Sequence, residues 1–327
     1  QVKVVINTKW LVDNGYATPD GNEVRFADSE GNLLDFWRET PFNQEETIYW
    51  VKVPFIPANS TVIIYMYYDE ELTGVPDASD GESTFDFFDD FSTDPNTNGK
   101  WEVYRHANDT NSEFAYDSTN RRVYLTKAVD HRGCFAFLKK NGVLFDCPEP
   151  GFAIKTKGGG GGGDGADGWA IGFYKDPSPY QTYGRCGDGD SLGLCAYDGV
   201  NQIQSKGYAV EFDNWQNDYD PSANHNALVN TLSTIMPETH HTYRNTNVAN
   251  EDNTTHEIEV CVYGSLIKLV VDGSVHFSYA LSFNKTYTKI GIGAGTGGRN
   301  NNHWIQDYVI VRKYVCLLYT SPSPRDL

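Results

Sequence analysis

The segment Tyr208-Ala-Val-Glu-Phe-Asp-Asn-Trp-Gln-Asn-Asp-Tyr-Asp-Pro-Ser-Ala-Asn-His225 concentrates residue types that can hold metal ions. Glu211 and Asp213 stand two apart in an alternating run, so the pleat of a strand turns both carboxylates to one face. Trp215 offers a backbone carbonyl two residues later, and Asn217 and Asp220 add oxygen ligands from a loop, the hard donor set that Ca2+ requires. His225 adds an imidazole, which favours a transition metal such as Mn2+ beside it. The spacing therefore allows two adjacent ions. A lone Asp or Glu in so acidic a chain reads as a solvating surface carboxylate, and only the ordered set marks this segment out.

On these residues the chain resembles the L-type (legume-type) lectins, in which E-x-D-x-(aromatic)-x-N followed by Asp and His binds paired Mn2+ and Ca2+. The resemblance implies that Glu211, Asp213, Asp220 and His225 hold the Mn2+-like ion. It implies that Asp213, the Trp215 carbonyl, Asn217 and Asp220 hold Ca2+. One departure is the interval from Asn217 to Asp220, which is shorter than in many legume lectins. Three further segments follow the family's pattern. Gly165-Ala-Asp-Gly-Trp-Ala-Ile-Gly-Phe173 resembles the motif whose Asp reaches sugar hydroxyls through a cis peptide, Gly187-Asp-Gly-Asp-Ser-Leu-Gly-Leu194 resembles the second binding loop, and Gly293-Ala-Gly-Thr-Gly-Gly-Arg299 with His303 resembles the last. The implied carbohydrate-binding residues are Asp167 and Asn217 as a fixed polar pair and Gly189 and Asp190 through backbone N–H groups. Gly298 and Arg299 would close the rim, with Trp215 or Trp169 as a stacking platform. The resemblance spans about residues 85–313 and implies a lectin-like protein whose metal ions order the sugar-binding loops.

Two other readings share this fold. Sandwich glycoside hydrolases of the laminarinase type carry E-x-D-x-x-E on one strand, with one Glu as nucleophile and the other as acid/base. Here Gln216 stands where the second Glu is needed, and an amide cannot protonate a leaving oxygen, so hydrolysis by that route is disfavoured. A non-catalytic structural adhesin module, stiffened by metal and binding no sugar, is the third reading.

The elements that must position these residues read as strands throughout. Residues 1–80 show short strand-like runs at Val2–Ile6, Glu23–Phe26, Leu33–Arg38, Ile48–Val53 and Thr61–Tyr68, separated by Asp20-Gly21 and Glu30-Gly31-Asn32 turn signals. They predict a small β-sandwich, and Leu33-Leu-Asp-Phe-Trp-Arg-Glu39 with Tyr49-Trp-Val-Lys-Val-Pro54 resembles the module known as domain of unknown function 2341. Trp37 and Trp50 read as core rather than as sugar platforms. A polar link at Asp77–Ser83 precedes a second domain at 85–315. In it, repeated short strands without a convincing amphipathic helix predict one large concanavalin-like antiparallel β-sandwich, a jelly roll. The run Gly158–Gly163 reads as a flexible loop. It is no phosphate cradle, since no Gly-Lys-Ser/Thr follows.

Residues 316–327 break the strand pattern and resemble translated sequencing adapter. They are expected to be a non-native tail on a metagenomic reading frame cut from a larger parent chain. Without Cys316 five cysteines remain; Cys186 and Cys195 bracket a Gly/Asp-rich loop and suit a short disulfide, Cys134 and Cys147 flank an Asn141-Gly142 turn, and Cys261 reads as buried core. With 44 acidic against 26 basic residues the formal charge is −18, which opposes binding to a nucleic-acid backbone. No apolar run approaches the roughly 18–20 residues of a membrane helix. The expected setting is extracellular or at the cell surface, and the expected partner is a glycan or polysaccharide.

Overall fold

The computed structural model describes residues 1–57, 59–149, 151–230, 239–281 and 287–314. The expected tail therefore lies outside the described residues. The chain divides into two compact units, Gln1–Phe88 and Asp89–Leu327.

In the first unit two three-stranded antiparallel sheets enclose one core. The first runs in the order Val2–Ile6, Thr47–Val51, Phe36–Arg38, and the second Leu33–Leu34, Arg25–Asp28, Ile64–Tyr67. Phe26, Phe36 and Tyr49 meet edge to face at 5.1–5.9 Å between the sheets. Trp50 is buried and donates its indole N–H to Glu39 at 2.6 Å, and Trp37 packs on Phe85 and Phe88, so both tryptophans are structural. A short helix at Thr8–Asp13 has no counterpart in the strand reading. Asn7 caps it by accepting from the Trp10 N–H at 2.9 Å, and Leu11 fixes it to the core.

The second unit is a large antiparallel sandwich. Its front sheet runs Val143–Leu144, Arg132–Lys140, Lys289–Thr296, Gly168–Tyr174, Gly207–Asp213, His225–Asn230, Thr239–Asn245, with Trp101–Arg105 also paired to Arg132–Lys140. Its back sheet runs Ser274–Ala280, Leu266–Val271, His256–Tyr263, Gly151–Gly161, Asn302–Lys313, Arg122–Thr126, Glu113–Asp117. The period-2 alternation decides what each front strand sends where. Trp169, Ile171 and Phe173 alternate with Ala170, Gly172 and Tyr174. Phe173 meets Phe152 of the back sheet at 5.6 Å. The opposite set, with Ala209, Ala227 and Val229, packs under the segment that carries Tyr180, Cys186, Leu192 and Leu194.

Three expectations change here. Gly158–Gly161 is strand rather than loop, paired on one side to Ile305–Asn302 and at Gly158 to His256 on the other. Crowding is the reason. A Cβ at Gly159 would lie 2.2 Å from the Thr254 carbonyl oxygen, and one at Gly160 would lie 1.9 Å from that of Asn250. Next, Cys186 and Cys195 are buried and not joined in a disulfide, nor are Cys134 and Cys147. Cys186 stands opposite Ala196, so Cys195 is one residue out of register and its thiol leaves from the other face. Cys134 pairs with Ala294 while the Cys147 N–H reaches Thr288, at the far end of the same strand, although the Asn141-Gly142 hairpin forms with both residues at positive φ. Finally, His303 is not on a rim. It is buried, bonded through Nδ1 to Thr126 at 2.8 Å, and burial pushes its pKa down to about 3.

Candidate functional site

Glu211, Asp213 and His225 leave the same face of adjacent strands, because Asp213 stands opposite His225 and Glu211 opposite Ala227. Small neighbours on that face, Ala170 opposite Glu211 and Gly168 opposite Asp213, leave room for the polar groups. The strand then ends in a turn that Asp213 itself stabilises, its carboxylate accepting from the Trp215 N–H at 2.7 Å. Two residues after Trp215, the Asn217 N–H donates to Asp220 Oδ2 at 2.6 Å and the Asp220 N–H returns to the Asn217 carbonyl at 3.1 Å. This compact turn is how the chain accommodates the short Asn217–Asp220 interval.

Two groups of ligand atoms result. Asp213, Asp220 and His225 offer atoms within 4.8 Å of one another, and so do Glu211, His225 and His240. His225 Nδ1 lies 2.9 Å from the Ser222 carbonyl, which places that proton and leaves Nε2 facing the carboxylates. His225 Nε2 is 3.2 Å and His240 Nε2 3.0 Å from Glu211 Oε1. His240 is also 3.7 Å from Asp220 Oδ1.

Burial favours neutral forms here, yet the charges remain close together. Burial pushes Asp213 well above the carboxylate range, and Glu211 and Asp220 push it further. Burial also raises Asp220. For Glu211 burial is outweighed by hydrogen bonds from His225 and His240, which hold its carboxyl low. For His240, burial is outweighed by the bond to Glu211, which raises its pKa. Three buried carboxylates around two imidazoles fit a divalent cation, which supplies positive charge without a proton.

Asn250 holds this arrangement from behind. It is fully buried, and its Nδ2 donates to the carbonyls of Asp213 at 2.7 Å, His225 at 3.1 Å and Thr246 at 3.1 Å.

Beside these candidate ligands, Asp167 follows a cis Ala166–Asp167 peptide. Its N–H reaches the Gly295 carbonyl at 3.1 Å and its carbonyl accepts from the Asn214 N–H at 2.8 Å. Its Oδ2 is buried without a hydrogen-bond partner. Burial, followed by the charge of Asp190, pushes Asp167 up to about 7. Gly189 and Gly297 face it: a Cβ at Gly297 would stand 3.1 Å from Asp167 Oδ2, and one at Gly189 3.9 Å. Asp190 accepts from the Tyr219 hydroxyl at 2.8 Å, so the second loop is joined to the metal turn. Arg299 lies 5.8 Å over the Trp215 ring and 3.4 Å from Asp164.

Thus the structure brings Asp167, Gly189, Asp190, Trp215 and Arg299 to one region next to Glu211, Asp213, Asp220 and His225, with Asn217 in the connecting turn. A Cβ at Gly298 would meet open space, and Gly297 is the glycine that faces Asp167. Trp169 is no platform. It is fully buried, stacked on Phe212 at 4.1 Å, with its indole N–H on the Ala249 carbonyl. Trp215, 37% exposed, is the accessible one of the two tryptophans.

His240 and Asn250 escaped the sequence reading. The Thr239-His-His-Thr242 run was the available signal for His240. A register shift between Leu228 and Val229 sets His240 opposite Val229, on the Glu211 face. His241 turns instead to Tyr208 and Tyr279, at 5.9 and 5.7 Å between rings.

The fold and site together define a concanavalin-like sandwich with a polar loop cluster beside two groups of candidate metal-ligand atoms. Residues 20–104 match the family described as Domain of unknown function (DUF2341). No curated protein matches the chain by sequence. Among solved structures, a basic winged bean lectin with Tn-antigen is 16% identical with a TM-score of 0.51, covering 69% of this chain and 96% of that one. A lectin from Bauhinia forficata in complex with GalNAc is 16% identical with a TM-score of 0.50, covering 69% and 98%. This likeness establishes the fold; what the site does is argued from its own residues.

Proposed function

We propose that this chain is a secreted or cell-surface carbohydrate-binding protein whose loops are ordered by divalent metal. One observation carries the reading: the buried, unpartnered Asp167 Oδ2 faces Gly189 and Gly297, at the meeting point of loops tied to the metal ligands. An acceptor held rigidly in a glycine-walled notch suits sugar hydroxyls, which need fixed hydrogen-bond partners rather than a deep apolar pocket. Trp215 supplies the apolar face beside it, with Arg299 at the rim. The lectins named above, with Tn-antigen and GalNAc in their sites, lend the same reading a precedent on this fold.

Asp213, Asp220, Asn217 and the Trp215 carbonyl are the residues that would hold Ca2+, and Glu211 and His225 the residues that would hold a second, transition-type ion. Bound metal would neutralise the buried carboxylates and fix the 213–225 turn, and through Tyr219 and Asp190 the second loop. Asp167 would then accept from sugar hydroxyls without itself touching an ion. A glycan array probed with and without Ca2+ tests this: calcium-dependent binding lost in Asp167→Ala supports it, and folding that depends on calcium without any glycan signal favours the structural-module reading.

A further inference from the structure

The atoms Glu211 Oε1, His225 Nε2 and His240 Nε2 form a nearly equilateral triangle, with edges of 3.0, 3.2 and 3.3 Å. Proton placement does not account for it comfortably. His225 Nδ1 is directed at the Ser222 carbonyl, so a neutral His225 presents the Nε2 lone pair to a carboxylate oxygen. The two Nε2 atoms also point at one another, and at most one proton can lie between them. A shared cation removes both conflicts. Zn–N bonds of about 2.0–2.1 Å and Zn–O bonds of about 2.0–2.2 Å, at angles of roughly 95–110°, put neighbouring ligand atoms about 3.0–3.4 Å apart. The observed edges fall in that range.

We propose that His240 is a metal ligand, and that Glu211, His225 and His240 make a two-imidazole site for a zinc-class ion. The inference rests on the metal-site part of the reading above, and it changes the ion. An oxygen-rich site with one imidazole serves Mn2+, whereas a second imidazole raises the preference for ions later in the first-row series and gives Ca2+ nothing. Calcium is left to the oxygen ligands on the other side of Asp213 and Asp220. The device that creates the site is the register shift between Leu228 and Val229, which turns His240 rather than His241 to this face. Among the described residues, Thr239–Asn245, which carries His240, is the last strand of its sheet.

The test uses the full chain, stripped of metal and saturated with Ca2+, and titrates Zn2+, Mn2+ and Co2+ into wild type, His240→Ala and His240→Gln. Wild type should bind Zn2+ at least about a hundredfold more tightly than Mn2+. Both His240 variants should lose at least about tenfold in Zn2+ affinity with Mn2+ affinity changed less, and the visible Co2+ spectrum should shift. Unchanged circular dichroism of the metal-free variants shows that they fold. The inference is overturned if wild type binds no transition ion, or if both variants keep Zn2+ affinity within twofold and the Co2+ spectrum of wild type. Glycan binding is not read in this experiment, so a chain that binds zinc through His240 and no sugar sinks only the lectin reading.

Discussion

Tyr219 donates its hydroxyl to Asp190 Oδ2 at 2.8 Å, and this bond ties the turn holding Asp220 to the loop that carries Gly189. A metal ion that ordered the Asp220 turn would thereby also order the loop that carries Gly189. Tyr219→Phe removes the bond and keeps the ring. Its loss should weaken sugar binding by about 1 kcal/mol, roughly fivefold, while Ca2+ affinity measured by calorimetry stays within twofold.

Asn250 fixes the backbone of two candidate ligands at once, through the carbonyls of Asp213 and His225. Asn250→Ala leaves three carbonyls without their donor and should cost about 2–3 kcal/mol of stability in denaturant unfolding. Transition-metal affinity should fall by about tenfold, because Asp213 and His225 lose their fixed separation. Asn250→Asp should not restore it, since a carboxylate cannot donate to carbonyls.

The pH dependence of the metal-free protein has a definite sign. Asp167 has a folded-state pKa raised to about 7 from 3.8. Between these values the folded state holds the proton and the unfolded state has lost it, so stability falls as pH rises through this window. Asp167→Asn removes that contribution. Relative to wild type, its melting temperature should be higher at pH 7 than at pH 4. An equal difference at both pH values would mean that Asp167 does not titrate there.

Purified protein should release no reducing ends from mixed-linkage or 1,3-linked β-glucans. Gln216 is exposed and cannot act as acid/base, and Glu211 is buried against two imidazoles. Sustained turnover that disappears in Glu211→Gln would restore the hydrolase reading.

Local sequence carried the strands and the first ligands. Glu211 and Asp213 are related by the two-residue period of a strand, so spacing placed those two together, whereas the strand His225–Asn230 that brings His225 opposite Asp213 was not read from the sequence. The misreadings arose where a distant neighbour decides. Gly158–Gly161 looked like a loop because its cause, carbonyls of Asn250 and Thr254, lies far along the chain. His240 depended on a register shift that reverses which of two adjacent histidines faces the site. Cys186 and Cys195 form no disulfide for the same kind of reason, a one-residue offset that no spacing reveals. Trp169 and Trp215 both suited a sugar platform by type, and only stacking on Phe212 assigns Trp169 to the core.

The most direct test is glycan binding by wild type, Asp213→Ala and Asp167→Ala, read together with Ca2+ affinity on the same samples. Asp213 belongs to the metal cluster, whereas Asp167 faces the glycine-walled notch. Asp213→Ala should therefore abolish metal and sugar binding together and lower stability, since the native state loses the free energy of its bound ion. Asp167→Ala should lose about 1–3 kcal/mol of sugar binding and keep Ca2+ affinity close to that of wild type. Glycan binding by both variants equal to that of the parent, or no glycan binding by the calcium-loaded parent, would contradict the account.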